Sequence, residues 1–337
     1  MLNENFEKLI KQTQSPDGIH KKQFVLFLGS GCNGACGVQW EQLVKNLLED
    51  TLKQRILNKN DYQNLCEEIG REFDTYWIGS LIKELSGENR FKALIRENIY
   101  KKFNIDDFKI YCNKQIAKTR KLIRFEFDEK FSTLFLSALL CVLGHTRAVV
   151  TYNYDSILET AISYIAELCE EDIIPNSQHG EEDSQPMALC NQLPIYHVHG
   201  FLSHPKSFIK NDSANILLSR DEYISTFIDF KSWETSIQAH LLRKYTCVYI
   251  GVSLTDWNML RLLQTSYNDR SRGFYHYCFT NEKENILIDR LKTTVWESFG
   301  VKPIFSGDTY KKYAENLFLL IKTLQNNKKG DKKWELQ

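Results

Sequence analysis

A five-residue apolar run, Phe24–Leu28, stops abruptly at Gly29-Ser30-Gly31. Gly34 and Gly37 follow before Trp40 opens a segment with apolar residues at 40, 43, 44, 47 and 48. Unbroken apolar character over five residues suits a strand buried on both faces, and the spacing of the second segment suits a helix. The pattern therefore predicts strand, glycine turn and helix, the opening unit of a parallel α/β sheet. Glycines at that junction let the backbone turn sharply and approach a ligand, and the helix start adds N–H groups and a dipole that favour an anion, usually a phosphate. Gly29, Gly31 and Gly34 match the letters of G-x-G-x-x-G. Gly37 extends the run, however, and no strand ending in an acidic residue follows at the distance the dinucleotide fingerprint requires. A turn that only joins a core strand to a helix is the alternative.

Beyond residue 130 the alternation resumes. Ala148–Thr151, Ile195–Val198, Ile216–Leu218, Cys247–Ile250, Phe274–Phe279 and Lys302–Phe305 read as short strands, with helical periods around 157–165, 220, 233–242, 256–263, 283–291 and 310–324. Phe131–Leu143 is apolar almost all round and ends at Gly144, as a helix buried under a sheet would. Residues 49–130 read as helices only. Two examples are 73–85, with Phe73, Trp77, Leu81 and Ile82 on one face, and 91–103, with Phe91, Leu94, Ile95 and Ile99. Residues 1–23 read as an amphipathic helix and a polar turn, Ser15-Pro16-Asp17-Gly18, and the acidic stretch 171–193 reads as a loop. The expected fold class is α/β: a Rossmann-like parallel sheet with helices on both faces, formed by 1–48 and 131–325, plus an all-helical insertion, 49–130. Residues 326–337 are expected to be a frayed tail.

Lys plus Arg equals Asp plus Glu at 43 each, so no net field draws the chain to nucleic acid or an anionic membrane. The charged start, MLNENFEKLIKQ, lacks the core of a signal peptide. The longest apolar run, Leu134–Leu143, is too short to span a bilayer, so a cytoplasmic location is expected. The nine cysteines are odd in number and scattered, which fits reduced thiols. Cys32 and Cys36 have no second pair at zinc spacing, so no metal is expected.

Four strands end in polar or glycine-rich residues: Gly29-Ser30-Gly31, Asn153-Tyr154-Asp155, His199-Gly200 and Gly251-Val252-Ser253. In an open parallel sheet the carboxyl ends of the strands line one crevice, so these residues meet there. Together the four stretches resemble the sirtuin family and, more closely, the sirtuin-like NAD hydrolases of bacterial anti-phage defence. The match lies in the G-S-G loop with its tryptophan-led helix, T-Y-N-Y-D at 151–155, H-V-H-G at 197–200 and G-V-S-L-T-D at 251–256. The two C-x-x-C pairs of the sirtuin zinc module are missing, and Gln39, Trp40 and Glu41 replace the family's proline and phenylalanine-arginine. Protein deacetylation is therefore not the expected activity.

The resemblance implies NAD as substrate, with no metal. Gly29, Ser30 and Gly31 would hold its diphosphate, with Asn33 and Trp40 counted in the same binding set. Asn153 would hold the nicotinamide ribose and the attacking water, and His199 would be the general base. Gly251 and Ser253 would meet the adenosine half, and Asn281 the adenosine ribose. Asp155 and Asp256 each stand at a helix start, where capping and ribose binding are both open, and Asn153 has the capping alternative too. His197, two residues before His199 on the same strand, is placed on the same face and competes as base. The glycine after His199 favours His199. The expected function is a regulated NAD-depleting hydrolase, giving nicotinamide and ADP-ribose. Such an activity is expected to be restrained by an assembly or a partner; a homo-oligomer is expected, with the helical insertion as the candidate for its contacts. The chain has no P-loop, so the trigger would be a separately encoded ATPase or sensor subunit. Neither membrane nor direct nucleic-acid partners are expected. A reading of a different class is a non-catalytic NAD or ADP-ribose sensor, and a deacylase or ADP-ribosyltransferase is a third.

Overall fold

Continuous apolar strands need cover on both faces, and the fold supplies it. A computed structural model describes residues 4–13, 24–54, 59–116, 122–180, 191–206, 212–229, 231–268, 275–282, 285–307, 309–326 and 335–336. The chain opens with α1 (Glu4–Thr13), β1 (Phe24–Leu28), a 3₁₀ turn over Ser30–Cys36 and α2 (Trp40–Lys53). Then come α3 (Lys59–Glu72), α4 (Thr75–Ser86), α5 (Glu88–Ile99), α6 (Ile105–Gln115), β2 (Leu122–Ile123) and α7 (Ser132–Val142). The next elements are β3 (Thr146–Thr151), α8 (Ile157–Cys169), β4 (Ile174–Gln178), β5 (Gln192–His197), α9 (Arg220–Ile228) and α10 (Trp233–Lys244). The chain continues with β6 (Cys247–Ile250), α11 (Trp257–Asn268), β7 (His276–Thr280), α12 (Ile286–Ser298), β8 (Val301–Phe305), α13 (Tyr310–Asn326) and β9 (Glu335–Leu336).

Seven strands form one parallel sheet in the order β4-β5-β3-β1-β6-β7-β8. The chain builds outward from β1 to one side, then returns to build the other. The switch of direction therefore falls at β1, between β3 and β6, the place where open α/β sheets bind ligands. Side chains alternate across it. Leu26, Leu28, Val149, Ile195 and Val248 pack under α1, α2, α7, α8 and α13, while Val25, Phe27, Val150, Tyr249 and Cys278 pack under α10, α11 and Trp296 of α12. Every residue of α7 is buried, as its all-round apolar pattern requires, and each such Leu or Phe contributes roughly 1.5–3 kcal/mol.

Several segments depart from the sequence reading for local reasons. The helix expected from Phe73 starts at Thr75, because the Asp74 carboxylate accepts the N–H groups of Tyr76 and Trp77. Its buried face is Ile78, Gly79 and Ile82, while Phe73 and Trp77 are 48% and 46% exposed. Gly79 sets that rotation, since a Cβ there would stand 2.1 Å from the Leu218 carbonyl oxygen. Ile216–Leu218 is a buried turn and not a strand: Leu217 N–H donates to the His199 carbonyl at 2.9 Å, and Leu217 O accepts from the Tyr154 hydroxyl at 2.7 Å. The loop expected over 171–193 contains β4, whose polar composition suits an edge strand. The helical stretch 49–130 ends with β2, paired parallel to β9 of the tail. The Ser15–Gly18 turn lies outside the described residues. Among those described, no helix is long and apolar enough to cross a membrane.

Candidate active site at the strand ends

The turn after β1 is locked into the turn after β6. Gly29 N–H donates to Ile250 O and Gly31 N–H to Gly251 O, both at 3.1 Å. Gly251 sits at φ +67°, where a side chain is strained, and a Cβ on it would lie 2.1 Å from Cys32 N. A Cβ on Gly29 would lie 2.5 Å from Gly251 O. Glycine is thus required here because two backbones interlock, and the Gly29 and Gly31 N–H groups are committed to carbonyls instead of facing a diphosphate. The Ser30 hydroxyl, which donates to Gln39 Oε1 at 3.2 Å, and the exposed Gln39 amide stand at the mouth of this turn. The Tyr313 hydroxyl of α13 accepts from Gly251 N–H at 2.9 Å and donates to Phe279 O at 3.2 Å, tying β6 and β7 together.

Beside these turns opens a cavity of about 240 Å³ whose walls include Gly31, Gln39, Gly251, Ser253, Thr280, Asn281, Lys292, Tyr310 and Tyr313. Gly31, Gly251, Ser253 and Asn281, drawn from the ends of β1, β6 and β7, are therefore brought together. Lys292 of α12 donates to the Thr280 hydroxyl and places a cation on that wall. The sequence reading did not include Lys292, Thr280 or Tyr310. Hydroxyls, an amide and one cation are donors suited to ribose and phosphate oxygens.

On the other side of β1 stands Asn153. Its amide nitrogen donates to Gly29 O at 3.3 Å, and its main-chain N–H donates to the Thr151 hydroxyl at 3.1 Å. Asn153 does not cap α8. That role falls to Asp155, whose Oδ1 accepts from Ile157 N–H at 3.0 Å while Oδ2 accepts from the buried Asn33 amide at 3.2 Å. Burial pushes the Asp155 carboxyl up to about 6. Asn33 and Asp155 thus clasp the glycine turn to the start of α8. Trp40 also holds structure: its indole N–H donates to Thr75 Oγ1 at 3.2 Å, and its ring lies 5.8 Å from Tyr76 and 6.1 Å from Tyr154. Asp256 caps α11 through Met259 N–H at 2.9 Å and accepts from the Tyr76 hydroxyl at 3.0 Å, joining α4 to the loop after β6.

The two histidines do not share a face, because β5 ends between them. Val198 N–H still donates to Thr151 O, and the chain then turns at Gly200, with φ +98°. His197, 1% exposed, faces α8: Nε2 lies 2.6 Å from Glu159 Oε1 and Nδ1 lies 3.1 Å from Asn153 O. Glu159 raises the His197 pKa against the opposing effect of burial. His199 is half-buried and edge-on to the Tyr152 ring at 4.9 Å, and its imidazole has no hydrogen-bond partner among the described residues. Burial holds its pKa below the usual histidine value, and the Asp256 carboxylate partly opposes this. Its imidazole is thus neutral near pH 7 and able to accept a proton. Glu159 was not singled out in the sequence. Its signal was a lone carboxylate within the buried face Ile157, Leu158, Ala161 and Ile162, four residues after Asp155.

Among the described residues no group of three or more His, Cys, Asp or Glu could hold a metal ion. No curated protein matches the chain at a significant level. The family model for the SIR2-like domain matches residues 147–304, a little under half of the chain, from β3 into β8. Asn153, His199, Gly251, Ser253, Asp256 and Asn281 all fall inside that match, while the glycine turn precedes it. Through this stretch, which holds the ends of β3, β5, β6 and β7, the chain is similar to SIR2-like domains.

Proposed function

We propose that the chain is an NAD glycohydrolase, converting NAD and water to nicotinamide and ADP-ribose. The observation that carries this reading is the placement of Asn153 and His199 at the ends of adjacent strands. The Asn153 amide lies on the glycine turn, and the cavity of Gly31, Gly251, Ser253 and Asn281 opens beyond that turn. The nicotinamide nitrogen is cationic in NAD, so the ring departs neutral and needs no acid. What requires help is the oxocarbenium-like ribose and the water that traps it. Asn153 orients that water and the ribose, and neutral His199 accepts the proton released as the new C–O bond forms. In the cell this activity would deplete NAD, as expected of an anti-phage effector held in check by self-assembly or by a separate ATPase or sensor subunit.

Incubation of purified protein with NAD, reading nicotinamide and ADP-ribose, tests the proposal. His199→Ala and Asn153→Ala should each lower turnover by roughly 10²–10⁴-fold, the usual contribution of a positioned acid or base. Binding of NAD without turnover in any assembly state would replace this reading with a sensor. NAD loss that depends on an acyl-lysine peptide would replace it with a deacylase.

A further inference from the structure

We infer that His197 and Glu159 form a buried positioning pair that fixes the main chain of Asn153 and thereby aims its amide, a role that rests on the catalytic reading of Asn153 given above. Asn153 lies just past the end of β3 and takes no part in the sheet ladder. Its two main-chain polar atoms are held by side chains instead: the N–H by Thr151 Oγ1 at 3.1 Å and the carbonyl by His197 Nδ1 at 3.1 Å. With both ends tied, the backbone angles at 153 are set, and with them the direction in which the amide leaves the chain.

The protons of the pair follow from the geometry. A carbonyl oxygen only accepts, so Nδ1 carries hydrogen. Nε2 and Glu159 Oε1, 2.6 Å apart, need one more proton between them. Without it, two lone pairs face each other in a site from which water is excluded. Glu159 Oε1 also accepts from Ser177 of β4 at 2.8 Å, while Oε2 is buried with no hydrogen-bond partner among the described residues. An unsatisfied carboxylate oxygen is costly. A buried pair of this kind stabilises little compared with apolar residues of the same size, so its value lies in the arrangement it enforces. The groups that face it are Asp155 at the start of α8, the neutral Ser177 on β4, the Cys32 thiol near the glycine turn, and His179 across the Phe201 ring.

Kinetics with NAD, together with ¹⁵N spectra of the imidazoles and side-chain amides, tests the pair. Glu159→Gln keeps the clasp, because its amide can donate to a neutral Nε2. Its kcat should stay within about threefold of wild type at neutral pH and should not fall on the alkaline side, where wild type loses the shared proton. Glu159→Ala and His197→Ala should lower kcat by about 10–100-fold, with KM for NAD within about twofold, the size of a small misplacement at a reacting centre. In wild type both His197 nitrogens should carry hydrogen at neutral pH. In Glu159→Gln only Nδ1 should. An unchanged kcat in Glu159→Ala, or an alkaline fall in Glu159→Gln equal to wild type, overturns the proposal. If wild type releases no nicotinamide, the hydrolase reading fails by itself. The positioning claim is then decided by the Asn153 amide resonance, expected to shift in Glu159→Ala and to hold in Glu159→Gln; no shift in Glu159→Ala overturns it. Should Glu159→Ala not fold, Glu159→Gln against wild type across the alkaline range decides.

Discussion

Replacing Gly251 by alanine tests the interlock on which the whole site rests. The new methyl would stand 2.1 Å from Cys32 N and 2.4 Å from Gly31 C, both backbone atoms, so no rotamer change relieves it. Holding a side chain at φ +67° costs about 1–2 kcal/mol, and overpacking a rigid contact adds about 1–3 kcal/mol. A loss of about 2–5 kcal/mol takes a large part of the ~5–15 kcal/mol that stabilises a typical domain. At roughly 2–4 °C per kcal/mol, the melting temperature should fall by about 4–20 °C, with nicotinamide release lost in parallel. Differential scanning calorimetry reads this directly. Gly70→Ala is the control: Gly70 lies in α3, where an added methyl would meet nothing within 4 Å, so it should gain up to ~1 kcal/mol. A Gly251→Ala protein melting within about 2 °C of wild type would refute the interlock.

Three further outcomes follow from the charged and polar groups. Because burial depresses the His199 pKa, the acidic limb of kcat/KM should lie below the ordinary histidine value of 6.5, and a limb above it would remove His199 as the base. Asp155 holds its proton to about pH 6 when folded, against an ordinary value of 3.8. The native state then binds more protons than the unfolded chain between those values, so stability falls as pH rises through that window and levels above it, by ~3 kcal/mol at most. The melting temperature of Asp155→Asn relative to wild type should climb over the same window, and a flat difference would contradict this. Tyr76→Phe removes the hydroxyl that donates to half-buried Asp256 and should cost about 1 kcal/mol, read as a melting temperature lower by roughly 2–4 °C; an unchanged value would mean that this bond contributes nothing.

Much of the frame was legible because it depends on periods that the chain itself carries. The run Phe24–Leu28, the all-round apolar α7 and the breaks at Gly29 and Gly251 each announce an element or its end, and the parallel sheet follows from their alternation. What escaped the sequence depends on tertiary neighbours. Whether Ile216–Leu218 forms a strand is decided by the His199 carbonyl and the Tyr154 hydroxyl, which capture Leu217. β4 carries no apolar signal because an edge strand needs none. The histidines were placed on one face by strand periodicity, which holds only while the strand lasts, and β5 stops at His197. The glycines were read for closeness to a phosphate, and the closeness is real, but each approaches the other's backbone. Lys292 and Tyr310 reach the cavity from helices that show no motif.

The phenol of Tyr313 gives the fold a temporal property. It receives the Gly251 N–H and passes its own hydrogen to Phe279, so one far wall of the cavity takes its final shape only when a residue near the end of the chain has docked. During synthesis, the half of the crevice carrying Asn153 and His199 emerges from the ribosome more than a hundred residues earlier. A nascent chain at that stage has one side of the crevice and not yet the other, so the cavity wall that Tyr313 ties together closes only after α13 has been made.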